Sequence, residues 1–350
     1  DDWWQPLCVT GPDGGKAYEM AGPNGVKTLP ITRAWRQGSS DNPLRTGVEK
    51  TWLGKFEKPV RVERVDLSEQ LISVHRYDYD GLGRTVREID AHDAVTEYRY
   101  DADNRMTVTV LPDTAQVVRA YAEHSSADLP TKISVDGIML GEQHFDGLDR
   151  MILSNTGGRI RHSVYEPGQT QPISVTTASG QEILYEYQPQ LGEEPKRRRL
   201  PGSDASYVYD NHNARLLTCQ EGEQQLTWEY FSNGELKSET RRENDQQYQM
   251  SYVYSFRGRL LRYTDVLGQT QSYDYDDAGR LKSTQLGTTL SQFTYDELGQ
   301  TRLIDTQDNA LRLRIIMEYD AFGRETLRTF DSAGQQQELL QEYNAVDALE

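Results

Sequence analysis

The stretch Tyr77-Asp-Tyr-Asp-Gly-Leu-Gly-Arg84 returns along most of the chain, and that recurrence limits the possible folds more than any other feature. Close relatives are Tyr98-Arg-Tyr-Asp-Ala-Asp-Asn-Arg105, Phe145-Asp-Gly-Leu-Asp-Arg150, Tyr273-Asp-Tyr-Asp-Asp-Ala-Gly-Arg280, Tyr295-Asp-Glu-Leu-Gly-Gln300 and Tyr319-Asp-Ala-Phe-Gly-Arg324. A fixed internal period implies a repeat architecture and comes before any count of domains.

One anchor aromatic per unit gives Tyr79, Tyr100, Tyr121, Phe145, Tyr165, Tyr187, Tyr209, Tyr230, Tyr254, Tyr275, Tyr295, Tyr319 and Tyr343, at a mean spacing of 22 residues. A second aromatic often stands two residues earlier, as in Tyr77, Tyr98, Tyr185, Tyr207, Trp228, Tyr252, Tyr273 and Phe293. A spacing of two puts both rings on one face of a strand. Four residues after the anchor come Gly83, Asn104, Asp149, Asn213, Gly234, Gly258, Gly279, Gly299, Gly323 and Asp347. These residue types tolerate a left-handed backbone, so each unit is expected to turn just after its Tyr-Asp. The units that start at Tyr121, Tyr165 and Tyr187 lack the signal and are expected to carry altered or longer loops.

Many units hold a second turn signal near their middle, such as Asp90-Ala-His-Asp93, Asp136-Gly137, Asp265-Val-Leu-Gly268, Asp305-Thr-Gln-Asp-Asn309 and Asp331-Ser-Ala-Gly334. Two turns in 22 residues leave two strands of roughly six to eight residues. The expected fold is all-β: one long antiparallel sheet of hairpins. At about 4.8 Å per strand such a sheet would exceed roughly 100 Å, so it is expected to curl into a spiral, hollow shell or large barrel. A β-propeller is the alternative, because two units approach the roughly 40 to 45 residues of a four-stranded blade. Paired units would then alternate in motif or spacing, and they do not.

Composition agrees with a thin, wetted sheet. Mean hydropathy is -0.77, hydrophobic residues make up 36%, and 21 Tyr stand against 7 Phe. The aromatic and β-branched content argues against disorder. A net charge of -17 disfavours nucleic acid or an anionic membrane surface as the main partner, and would favour a basic one. Cys8 and Cys219 stand far apart and suggest neither a disulfide framework nor a zinc site. No apolar run approaches the 18 residues of a membrane helix, and the initial Asp-Asp-Trp-Trp does not resemble a Sec signal.

Residues 1–70 hold Trp3, Trp4, Trp35 and Trp52 and the turn-rich runs Gly11-Pro-Asp-Gly-Gly15 and Gly22-Pro-Asn-Gly25. They read as a β/loop segment with degenerate repeats, ahead of a regular repeat region over 71–350. Pro59 to Ser73 alternates with a period of two, as a half-buried strand does. The repeat start at Tyr343-Asn-Ala-Val-Asp347 and the missing initiator Met lead us to expect a piece of a longer chain.

The periodic Tyr-Asp-x-x-Gly-Arg resembles the YD repeat of the RHS family, which includes bacterial polymorphic toxins, the B and C components of insecticidal toxin complexes, and the YD shell of teneurins. The resemblance covers about residues 70–350. It implies a hollow β-shell that secludes a C-terminal toxin or unfolded cargo until delivery. The implied partners are the toxin domain of the parent chain and neighbouring RHS segments or a B-type shell component. The implied setting is synthesis in a bacterial cytoplasm followed by secretion or delivery. The family's core after the repeats, with its Asp-Pro-x-Gly-Leu motif and self-cleaving aspartates, is not found here. Self-cleavage is therefore expected elsewhere in the parent.

A search for chemistry gives no catalytic, cofactor or metal site. His75, His92, His124, His144, His162 and His212 sit in different units, with no His-Glu-x-x-His. Gly-x-Ser-x-Gly and Walker A patterns are missing, and Gly81-Leu-Gly83 precedes no helix pattern. Asp78/Asp80 and Asp101/Asp103 begin like a calcium loop, but Ile89 stands where the twelfth-position Glu is needed. Lys196-Arg-Arg-Arg199 reads as a solvated loop, or more sharply as an exposed cleavage or docking loop. The arginines Arg84, Arg105, Arg150, Arg259, Arg280 and Arg324 are expected to pair with nearby carboxylates, each pair contributing little. An acidic lining that attracts a basic cargo is a further expectation. The competing class is an extracellular recognition or adhesin module that binds carbohydrate or protein, with Trp3, Trp4 and Trp35 as candidates for sugar contact.

Overall fold

The structure, a computed structural model, describes residues 7–12, 14–23, 30–41, 43–188, 190–191 and 193–349. Trp3, Trp4 and parts of the two expected N-terminal turns (Asp13, Asn24, Gly25) lie outside the described residues. The chain divides into two compact units. One comprises Asp1–Thr96 with Gln271–Glu350, the other Glu97–Thr270.

Among the described residues all regular structure is β, and every strand pairing is antiparallel. In the 97–270 unit each strand pairs with the next along the chain, from Val95–Tyr100 through to Leu260–Thr264. A propeller would interrupt this ladder after every fourth strand. No interruption occurs in that run, so the propeller alternative is set aside. The other unit holds two such runs, from Cys8–Thr10 to Thr85–Ile89 and from Thr270–Tyr275 to Gln335–Leu340. The ladder crosses residue 70 unbroken, since Pro59–Val65 pairs with Leu71–Tyr79.

Sequence pattern explains the local form. In each Tyr-x-Tyr segment, and in Trp228-Glu-Tyr230, the two rings are half-buried, while the residue between them (Asp78, Arg99, Glu186, Val208, Glu229, Val253 or Asp274) is exposed. The sheet is a single layer, so few side chains are fully covered. The fully buried hydrophobics among the described residues are Val65, Ala122, Val175, Ala205 and Met317.

The register slips by one residue just before nearly every anchor, for example between Asp78 and Tyr79, Arg99 and Tyr100, Val208 and Tyr209, and Glu318 and Tyr319. Such bulges bend the strand and sharpen its twist. The same slip falls between Trp52 and Leu53, so Leu53 takes the anchor place of a unit whose aromatic motif has been lost.

At the far ends of the strands the turns shorten to two residues with left-handed backbones, as at Asp136-Gly137 (φ 49° and 80°) and Ala333-Gly334 (φ 53° and 83°). These are type I′ hairpins, whose twist matches that of the strands. The turn expected over Asp305–Asn309 is narrower. Thr301–Asp308 stays in the sheet as far as the pair Asp308 with Leu311, because Asn309 (φ 51°) supplies the tight turn. Asp305 is a strand residue, held by Arg312 at 2.8 Å.

Within the 1–96/271–350 unit, turns near the end of the chain meet strands near its start. Arg36 Nη2 donates to Leu298 O (2.9 Å), Leu44 N to Glu297 Oε2 (3.1 Å) and Gly47 N to Ala321 O (2.8 Å). Arg64 places its guanidinium over the Phe322 ring at 5.1 Å and grips Asp347 with both terminal nitrogens at 2.8 Å. A Cβ at position 47 would fall 2.6 Å from the Phe322 ring, which explains glycine there.

Candidate functional site: the repeat turn and its clasp

Among the described residues the Tyr-Asp-x-x-Gly-Arg turn is a chemically distinctive arrangement that repeats. In the Tyr79 unit, Asp80 Oδ1 accepts the N–H groups of Leu82 (2.9 Å) and Arg84 (3.0 Å), while Oδ2 accepts Arg84 Nε (2.6 Å). Gly83 N donates to Asp80 O at 3.0 Å, closing the turn. The same network forms around Asp101, Asp146 and Asp320, and a partial one around Asp276 and Asp296. One carboxylate thus satisfies donors that a tight turn would otherwise leave to water. The donors lower its pKa. The Arg84 backbone N–H leads in holding Asp80 below the usual carboxylate range, and the Arg150 side chain leads for Asp146.

The fourth residue after the anchor has a left-handed backbone at Gly83 (φ 77°), Asn104 (70°), Asp149 (63°), Gly234 (100°), Gly258 (77°), Gly279 (86°), Gly299 (83°), Gly323 (82°) and Asp347 (65°). The Tyr209 unit differs. Its left-handed residue is Ala214 (φ 62°), one past Asn213, because this turn is a residue longer and closes from Asp210 N to Arg215 O. After Tyr121, Tyr165 and Tyr187 the chain makes longer excursions before Pro130, Ile173 and Glu194.

The anchors do more than pack. Tyr79 OH donates to Pro59 O, Tyr121 to Met106, Tyr165 to Met151, Tyr187 to Pro172, Tyr209 to Pro195, Tyr230 to Leu216, Tyr295 to Leu281, Tyr319 to Thr301 and Tyr343 to Glu325, at 2.5–2.9 Å. In most of these units the acceptor is the residue paired with the preceding anchor at its bulge, as Met106 is with Tyr100 and Pro195 with Tyr187. Each anchor thereby ties its own unit to the one before. Burial pushes up the phenols of Tyr79, Tyr121, Tyr187, Tyr295 and Tyr319, and that of Tyr209 to about 12, so these remain donors at neutral pH. Phe145 fills an anchor place without a hydroxyl, and Tyr254 meets Phe231 edge-on at 6.3 Å.

The repeat arginine completes the clasp. Arg105, Arg150, Arg280 and Arg324 lie 4.6–4.9 Å over the ring of the following anchor. Arg105 Nη1 also donates to Ser125 O (2.6 Å) and Arg150 Nη1 to Gln169 O (2.8 Å), both in the next loop. Lys58 plays this part ahead of Tyr79, reaching Gly83 O at 2.7 Å. The guanidinium side chains are only 12–31% exposed. The expectation of weak surface pairs is therefore corrected. Arg105, Arg150, Arg280 and Arg324 are each half-buried, stacked and charge-paired, which strengthens the contact beyond an exposed ion pair.

Other sequence candidates fall elsewhere. Lys196–Arg199 is not a loop but lies in the strand Pro195–Leu200, paired on both sides. Its arginines face Asp204, Glu221 and Glu186, which neutralise the cluster. Of the histidines, His124 meets Asp149 at 3.2 Å and His144 meets Glu142 at 3.4 Å. Among the described residues no group of three or more His, Cys, Asp or Glu is placed to hold a metal. No helix among them is long and apolar enough to cross a membrane. Trp35 has Tyr18 stacked at 5.0 Å and Arg45 at 5.0 Å, so its ring is already engaged by protein groups.

Comparisons with known proteins agree with this geometry. The RHS Repeat family model matches residues 79–116 and 254–290. A solved structure described as TcdB2-TccC3-Cdc42 aligns with 96% of this chain and 22% of its own, at 12% identity and a TM-score of 0.57. The Tc holotoxin pore of Photorhabdus luminescens, with a TccC3 mutation, aligns with 96% of this chain and 24% of its own, at 11% identity and a TM-score of 0.51. No curated protein sequence matches. The chain thus spans less than a quarter of the length of those structures, and the likeness is one of fold. A single-layer antiparallel sheet of hairpins, closed by Tyr-Asp turns and clasped by arginine, is a YD-type repeat sheet. In those two stretches the chain matches the RHS Repeat family, and in fold it is similar to the Tc toxin structures.

Proposed function

We propose that this chain is a wall segment of an RHS-type shell that secludes a toxin or partly unfolded cargo until delivery. The observation that carries it is the direction of the chemistry. Within each turn Asp holds Arg, and the repeated Tyr and Arg side chains act laterally, from one unit to the next; among the described residues they converge on no substrate-sized centre. This suits a structural role and not a catalytic one. The Tc holotoxin match supports the same reading. On it the partners are the cargo and neighbouring RHS or B-type shell segments, and the parent is secreted or otherwise delivered from a bacterium. Attraction of a basic cargo by an acidic lining is not part of the proposal. The exposed carboxylates of the inter-ring row are matched by cations, as in Asp78 with Arg87 (3.7 Å), Glu186 with Arg199 (2.7 Å), Glu229 with Lys237 (3.1 Å) and Asp274 with Lys282 (3.6 Å).

Protease protection of the intact parent tests this. The segment carried with the repeats is expected to resist digestion while the sheet is folded and to be cut once urea unfolds it. Equal cleavage in both states would overturn the proposal.

A further inference from the structure

The contacts between residues 36–64 and 297–347 differ in kind from those elsewhere in their unit. Among the described residues no strand is seen to pair across this seam. It is made instead by the tips of turns that recur every 24 residues, those following Tyr295, Tyr319 and Tyr343. The receiving side is the backbone of Leu44 and Gly47 and the side chains of Arg36 and Arg64. The strands that contribute to the seam keep their own ladders on both sides, as Pro59–Val65 does with Val48–Leu53 and Leu71–Tyr79. The seam can therefore part without unpairing a strand.

Asp347 stands at its centre and departs from the repeat. Six other units place Gly at this turn position (Gly83, Gly234, Gly258, Gly279, Gly299 and Gly323), where a left-handed backbone costs a residue with a Cβ roughly 1 kcal/mol or more. Asp347 adopts φ 65° all the same, and its carboxylate lies between two guanidiniums, Arg64 at 2.8 Å and Arg324 at 2.7 Å. Arg64 in turn donates to the buried Ser73 through Nε at 2.9 Å and covers the Phe322 ring. Asp149, a second non-glycine at this position, also makes a lateral tie, accepting from Ser125 Oγ at 2.9 Å.

We propose that Asp347 is the keeper of a latch: its carboxylate holds the seam shut, and without it the seam opens as one element while the hairpin ladder stays paired. Removing the carboxylate leaves Arg64 and Arg324 facing each other as like charges, so more is lost than two hydrogen bonds. The latch is independent of what the sheet encloses, and the proposal stands or falls apart from the shell reading.

The test is amide hydrogen exchange on the whole chain. The key variant is Asp347→Gly, because glycine satisfies the same turn in six other units. The amides of Leu44 and Gly47, which donate across the seam, are expected to exchange at least tenfold faster. The Ala348 amide within the turn and those of Leu311–Tyr319 are expected to be unchanged. Arg64→Met is expected to act alike, and the double variant Arg64→Met/Asp347→Gly to open the seam no further than either single one. Unchanged exchange at Leu44 and Gly47 in Asp347→Gly would overturn the proposal. So would a uniform acceleration of all these amides, which would make the seam part of one cooperative fold.

Discussion

Replacing Tyr209 by Phe isolates the inter-unit tie from the ring that carries it. The hydroxyl donates to Pro195 O at 2.9 Å and nothing else about the ring need change, since Phe145 already occupies an anchor place beside a bulge of the same kind. A net intramolecular hydrogen bond contributes about 1 kcal/mol. In a repeat protein stability is a sum of unit and nearest-neighbour terms, so the loss should stay local. Exchange of the amides in Pro195–Leu200 is expected to accelerate about fivefold, the factor that 1 kcal/mol represents. Tyr209→Ala, which also removes half-buried ring area, should cost about 2 kcal/mol more. Because burial raises the Tyr209 phenol to about 12, the folded state favours its neutral form. Its contribution is complete below the unfolded value near 10 and is lost as pH rises toward about 12. An unchanged exchange rate in Tyr209→Phe, with Tyr209→Ala still disruptive, would refute the tie and leave only packing.

The turn carboxylates give an acid limit. Asp80, Asp146 and Asp347 are held below the usual range, led respectively by the Arg84 N–H, the Arg150 side chain and the Arg64 side chain. Their stabilisation is present above the ordinary carboxylate pKa and is lost as pH falls through the depressed values, so circular dichroism should hold steady through pH 5 and change only in stronger acid. Gly268 (φ 78°) has open space where a Cβ would stand, so Gly268→Ala should cost about 1 kcal/mol in urea unfolding from backbone strain alone. Arg150→Lys keeps the charge but loses the fork that joins Asp146, the Tyr165 ring and Gln169 O, and should speed exchange in the loop after Tyr165 several-fold. Brief trypsin digestion should spare Lys196–Arg199, which is paired in a strand; a first cut there would contradict the assignment.

Periodicity made the hairpins legible, because Tyr-x-Tyr and a turn residue four places on are local signals in a single strand and its turn. The longer Asp210–Arg215 turn shows the limit of that logic: Asn213 is the better left-handed residue by type, but one inserted residue moves the burden to Ala214. The basic run at 196–199 read as a loop because its neutralising partners, Asp204, Glu221 and Glu186, lie on neighbouring strands and out of sequence register. The bulges and tyrosine ties were invisible, since their acceptors are backbone carbonyls of the preceding unit. The seam left only one trace, a carboxylate at Asp347 where glycine is the rule, and its partner Arg64 stands 283 residues away.

The central claim, that these repeats form the wall of an enclosure, is tested most directly by electron microscopy of the intact parent protein. The account predicts repeat strands that surround density from the carried polypeptide. Repeat strands that surround no such density, with the carried domain folded outside and open to solvent, would contradict it.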